Sequence, residues 1–90
     1  PQLGDRRQWA PLIREGQATL TAHAWVGIRG MPPRGGRADL SLEAFAGGVA
    51  YMAQRAGANW QPPDPALLKR IEAEVRKREA RLKARGGKAD

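Results

Sequence analysis

Between Gly27 and Asp39 the chain reads Gly-Ile-Arg-Gly-Met-Pro-Pro-Arg-Gly-Gly-Arg-Ala-Asp, and this segment constrains the fold most because it forces a stiff, irregular loop between helical stretches. Pro32 and Pro33 in series hold their own φ near −65° and bias the residue before each of them to an extended conformation. Met31 therefore sits on a rigid loop with its thioether presented rather than folded away. A soft sulfur donor is held over a metal in this way, so Met31 is the candidate metal ligand.

The rest of the chain supports little covalent chemistry. The sequence contains no cysteine, which excludes disulfides and leaves no Cys-x-x-Cys-His segment to carry a covalent haem. Ninety residues make one domain at most, and a globule of this size buries only roughly 60% of its unfolded surface. Something beyond the core is therefore expected to steady it: a prosthetic group, a partner subunit or a further segment. The start at Pro1, with neither an initiating Met nor an apolar leader, is expected to be a processed, cleaved or truncated one. No stretch approaches the roughly 20 apolar residues of a membrane span. No nucleophile–base pair and no paired carboxylates are recognisable, so an enzyme is not expected.

Charge is uneven. Residues 1–60 hold 7 Lys+Arg against 4 Asp+Glu, net +3, while 61–90 hold 9 against 5, net +4 in half the length. A basic balance favours acidic partners without choosing among a protein face, a membrane surface and nucleic acid.

Helix signals are clear. Asp5 can cap a helix through Glu15, with Trp9, Leu12 and Ile13 on one side and Pro11 either kinking it or marking a fresh start. A second short helix spans about Ala18 to Val26, with Leu20 and Ala24 inward and Trp25 a further inward candidate, and Gly27 ends it. Asp39 or Ser41 caps a third helix, Leu42 to Arg55, whose Phe45, Val49 and Met52 recur as a buried stripe, and Gly57 stops it. Residues 58–65 read as a proline-rich linker in which Trp60 pins the tail to the globule or anchors a partner. Asp64 and Pro65 then start a final helix, 66–85, before a frayed tail, 86–90. Glu72/Arg76, Glu74/Arg78 and Glu79/Lys83 sit acid before base at four-residue spacing along it. Leu67, Ile71, Val75, Arg78 and Leu82 make a narrow seam on this helix, interrupted by an arginine. The expectation is a solvated, charged helix with a modest docking stripe, and the alternative is a dedicated coiled-coil interface.

The order of these pieces carries a resemblance. Pro1-Gln2-Leu3-Gly4-Asp5, Trp9-Ala10-Pro11, Gly30-Met31-Pro32-Pro33-Arg34-Gly35-Gly36 and Val49-Ala50-Tyr51-Met52 resemble, over residues 1–57, the distal part of class I c-type cytochromes, most closely the cytochrome c5 group. The resemblance implies an all-α, cytochrome c-like small helical globule, here with an added C-terminal helix. It also implies haem c as cofactor, single-electron transfer as function, periplasmic location, and redox proteins with acidic docking faces as partners. Met31 matches the family's distal axial ligand, and Pro1 matches the proline whose carbonyl accepts a hydrogen bond from the proximal histidine. Trp9 looks like a pocket residue near the haem edge, Pro32 stiffens the ligand loop, and Leu3, Ile13 and Leu20 should line the apolar floor.

This sequence departs from the pattern at one point. The family's first helix, both cysteines and the proximal histidine would all precede Pro1. In the family, the helix that bears Tyr51 and Met52 packs across that first helix, so without that helix the side with Phe45, Val49 and Met52 is expected to lack cover. His23, the single histidine, reads as a surface or half-buried residue rather than a replacement ligand. Arg29, Arg34 and Arg37 around the Met31 loop would steer acidic redox partners. The alternative to a cytochrome is a haemless, cytochrome-like assembly subunit, with residues 60–85 as its grip on a membrane complex. A nucleic-acid-binding module rests on charge alone, since the aromatic interleaving of a stacking surface is missing, and no nucleic acid is expected as partner.

Overall fold

The computed structural model describes residues 2–27, 33–37 and 39–85. Pro1, Arg29, Met31, Pro32 and the tail 86–90, all of which carry expectations from the sequence, lie outside the described residues. The described chain is all-α, with no strand. Its order is α1 (Arg6–Glu15), α2 (Gln17–Val26), a 3₁₀ turn (Pro33–Gly36), α3 (Leu42–Arg55) and α4 (Pro65–Ala84). The arrangement is a small all-helical globule, consistent with a cytochrome c-like fold, in which α4 packs against α2 and α3.

Three of the four α-helices, α1, α3 and α4, begin with a side-chain capping bond. Asp5 Oδ1 accepts from Gln8 N at 3.0 Å, Ser41 Oγ from Ala44 N at 3.1 Å and Asp64 Oδ1 from Leu67 N at 2.7 Å. In each helix this satisfies one of the amide groups that a first turn leaves without a partner. Of the two candidates for the start of α3, Ser41 is therefore the cap, and Asp39 instead takes a two-pronged bond from Arg37, both contacts at 3.0 Å. Pro11 does not split α1. The helix runs through it, and the missing N–H leaves the Arg7 carbonyl without its usual intrahelical donor.

Only Gly16, at φ 97°, separates α1 from α2, a conformation that a Cβ would strain. Gly57, at φ 96°, closes α3 in the same region. A Cβ built there would come within 2.6 Å of the Arg6 guanidinium, so the turn also lets α1 approach closely.

Two apolar clusters follow from these helices. In the first, Trp9, Leu20, Val49, Ala53 and Ala56 are buried, with Leu12, Ile13, Phe45, Met52, Ala58 and Trp60 packed on them. Val49 is thus inside and Phe45 and Met52 are half-buried, which corrects the expectation that this side of α3 would lack cover: α1, the start of α2 and the 58–60 segment supply it. Trp60 pins its segment to the globule, as one of its two expected roles required. Gln54 donates to its carbonyl, and Gln17 Nε2 donates to the next one, Gln61 O, at 2.7 Å.

The second cluster joins α4 to the globule. Ala22 of α2, Ala46 of α3 and Leu67, Ile71 and Val75 of α4 are buried together, with Ala18, Trp25, Val26, Leu42 and Leu68 around them. The stripe expected to face solvent or a docking partner is occupied within the chain. Burying side chains of this size stabilises by about 1.5–3 kcal/mol each, so α4 belongs to the folded unit. Arg78, which interrupts the seam in sequence, is buried as well. The Cα radius of gyration, 12.5 Å, is close to the roughly 12 Å of a compact domain of this length with α4 folded on.

Candidate functional site

Four of the seven residues singled out for a haem pocket lie among the described residues, and three of them come together. Trp9 and Leu20 are buried side by side in the first cluster, and Ile13, a turn along from Trp9 on α1, packs on it half-buried. The Trp9 indole N–H donates to the Gln2 carbonyl at 3.0 Å, and Gln2 N donates in turn to Gln8 Oε1 at 2.6 Å. These bonds tie the N-terminal segment across α1. Leu3, two residues before the Asp5 cap, is 54% exposed and stands apart from that wall. Met31, Pro32 and Pro1 lie outside the described residues.

The exit of the Met31 loop is fastened by a contact that sequence reasoning did not foresee. The Arg34 guanidinium carbon lies 4.3 Å from the centroid of the Trp25 ring, and Trp25 meets Phe45 edge-on, with centroids 5.5 Å apart and planes at 70°. A cation over an indole face is attracted by the negative face of the ring, and the T-shaped pair below is the favoured aromatic geometry. Together they join the 3₁₀ turn, α2 and α3. Arg34 adopts φ 56°, uncommon for a residue with a Cβ, so the turn is bent to bring this side chain over the ring. Of the cations expected to steer a partner, Arg34 is thus engaged with Trp25. Arg37 is paired with Asp39, whose carboxyl the hydrogen bond from Arg37 holds below its ordinary value.

His23 sits on the far side of α2, turned towards α4. Its Nδ1 lies 3.5 Å from Glu15 Oε1, and its side chain is 18% exposed. Burial pushes its pKa below the ordinary value, with the Arg78 charge acting in the same direction and Glu15 opposing both. It has the half-buried character that the sequence implied. Among the described residues no three His, Cys, Asp or Glu side chains converge on a point that could hold a metal ion.

A haem of the c type needs an apolar wall, an axial donor on each side of its iron and thiols for attachment. Toward that requirement the chain offers apolar residues and one sulfur: Trp9 and Leu20 are buried in the first cluster with Val49, Ala53 and Ala56, Ile13 packs on that cluster, and Met31 is the thioether-bearing residue that precedes Pro32-Pro33 in the sequence. No residue of these ninety supplies a thiol, and His23 is engaged with Glu15.

Comparison with known proteins gives one relevant match. Over 56 residues the chain is 39% identical to cytochrome c-555 of Chlorobaculum tepidum, an alignment that takes in 58% of this chain and 52% of that protein. This supports a cytochrome c-like relationship. The chain spans about half the length of the curated relative it matches. No family profile matches the chain, and no solved structure does. Among the described residues no helix is long and apolar enough to cross a membrane.

Proposed function

We propose that the chain is the distal part of a c-type electron carrier of the cytochrome c5 kind, with Met31 as axial ligand, acting in a periplasmic respiratory or photosynthetic chain. The observation that carries this reading is the Gly-Met-Pro-Pro-Arg-Gly-Gly loop, set between α2 and α3 in a chain that is 39% identical over 56 residues to a cytochrome c-555. When bound, haem c would supply a one-electron couple. The remaining duties fall to the polypeptide. Met31 offers sulfur, a poor σ donor that favours the ferrous state and raises the reduction potential over that of two nitrogen ligands. Trp9, Leu20 and Ile13 keep water from the ligand side, and Pro32 restricts the loop that holds the sulfur. Arg34, stacked on Trp25, fixes the point where that loop rejoins the helices. The thiols and the proximal histidine come from polypeptide outside these ninety residues. Electron transfer needs only a cofactor edge near a docking surface, and acidic redox proteins suit the basic chain.

Met31→Ala tests the assignment. In the haem-containing protein the variant should lose the low-spin His/Met spectrum, and its reduction potential should fall. An unchanged spectrum and potential would refute Met31 as ligand.

The absence of cysteine favours a second reading, a haemless subunit of a larger assembly. The purified protein would then be colourless. Colour that acid acetone extracts would instead mean non-covalent haem, and colour that resists extraction would mean covalent attachment.

A further inference from the structure

α4 buries one side and leaves the other to solvent, and the exposed side is organised. With the seam Leu67, Ile71, Val75, Arg78 and Leu82 turned inward, the opposite face carries Ala66, Ala73 and Ala80 along its midline, the first and last exposed and Ala73 half-buried. Lys69, Arg76 and Lys83 form a row on one side of that line, and Arg70, Lys77 and Arg81 flank it on the other. All six cations are exposed. The 69-76-83 row repeats every seven residues, roughly 10 Å apart along the axis.

Two further facts describe this face. The acid-before-base spacing predicts that Glu72 and Glu79 neutralise Arg76 and Lys83, yet no ion pair joins them; among these six cations only Lys77 has an ion-pair partner, Glu74 at 3.4 Å. The helix is also held rigidly from beneath by Leu67 and Ile71, at 2% and 0% exposure, so the rows keep their spacing.

We propose that the outer face of α4 docks an acidic helix of a partner protein. The inference does not depend on the haem reading. Small side chains let two helices pack at the near end of the usual separation of roughly 8–10 Å, which the alanine midline provides. The flanking cations then reach around a partner helix whose carboxylates recur at matching seven-residue intervals, as charged flanks select partners in coiled coils. An anionic bilayer suits the face less well: nothing larger than alanine lies between the rows to enter it, and attraction to a charged plane would draw on every cation of the chain rather than on this register.

The test uses the protein that carries these ninety residues and fluorescence anisotropy at low salt. The probes are a helical alanine-based peptide with glutamates in two seven-residue rows, the same peptide with its glutamates scrambled around the helix, phosphatidylglycerol vesicles and a random-sequence DNA duplex. The in-register peptide should bind about tenfold tighter than the scrambled one, Arg76→Glu should weaken it by about tenfold, and the same reversal on α1, Arg7→Glu, should change it less than about twofold. Ala80→Trp, which adds bulk to the midline without altering charge, should also weaken binding by about tenfold. Circular dichroism of these surface variants checks that each is folded. Equal binding of the scrambled peptide, equal effects of the α1 and α4 reversals, or unimpaired binding by Ala80→Trp would overturn the proposal. Tighter, α4-dependent binding to the vesicles or to the DNA would overturn it equally, by naming a different class of partner.

Discussion

Ile71→Ala is the sharpest test of whether α4 is part of the globule. Ile71 is fully buried, with no accessible surface, and lies in the cluster where α4 meets Ala22 of α2 and Ala46 of α3. The substitution removes three carbons, worth about 2.4 kcal/mol at about 0.8 kcal/mol each, before any term for the cavity left behind. Measured large-to-small changes at such sites fall at about 2–5 kcal/mol because the surroundings collapse only partly. A loss of about 3 kcal/mol is therefore expected. In a domain of this size each kcal/mol moves the melting temperature by about 4–8 °C, so Tm should drop by about 12–24 °C. Ile71→Val, which removes one carbon, should cost about 0.5–1.5 kcal/mol and grade the effect. The assay is urea unfolding followed by tryptophan fluorescence, since Trp25 borders the same cluster and Trp9 and Trp60 report the other. Coincident transitions at both clusters are expected. A loss below about 1 kcal/mol, or a fluorescence transition untouched by the substitution, would mean that α4 unfolds on its own and that its seam does not hold the molecule together.

Three further outcomes follow from named contacts. Asp64→Ala removes the acceptor for Leu67 N and should cost about 0.5–2 kcal/mol in urea unfolding, whereas Asp64→Ser should recover most of it. The depressed pKa of His23 means that the unfolded chain takes up its proton first as pH falls: stability from the neutral imidazole is present above the ordinary value of 6.5 and is lost as pH drops through the lower folded value. His23→Gln should therefore flatten the difference between urea midpoints at pH 7.5 and pH 5, and an unaltered difference would count against burial as the cause. Arg34→Ala should cost about 0.5–1 kcal/mol for the lost contact with Trp25, while Arg34→Gly, which relieves the positive φ, should cost less despite losing the same contact. The order of the two melting temperatures decides that point.

The parts of this fold that were legible in sequence are those fixed by neighbours along the chain. Asp5, Asp64 and one of two candidates, Ser41, act as caps because the acceptor lies three residues from its donor, and Gly27 and Gly57 end helices because a positive φ is local. The seam of α4 was legible as a stripe, but periodicity says only that a face is apolar, not what covers it. Its cover is α2 and α3, twenty or more residues away in sequence, and the arginine in its middle is buried with it. The fastening of Arg34 to Trp25 gave no sequence signal, since it depends on a turn folding back over α2. The four-residue pairs Glu72/Arg76 and Glu79/Lys83 met the spacing rule and formed no ion pair, as exposed pairs gain little over solvation. Of the expected pocket, Trp9, Ile13 and Leu20 gather because their spacing places them on facing sides of α1 and α2, whereas Leu3 precedes the cap and stays exposed.

The electron-carrier reading is tested most directly by the intact mass of the protein purified from its source, recorded with its visible spectrum. The account predicts a mass greater than that of the polypeptide by one covalently held haem, together with a reduced spectrum of the low-spin c type that Met31→Ala abolishes. A mass equal to that of the polypeptide alone, from a colourless solution, would contradict it.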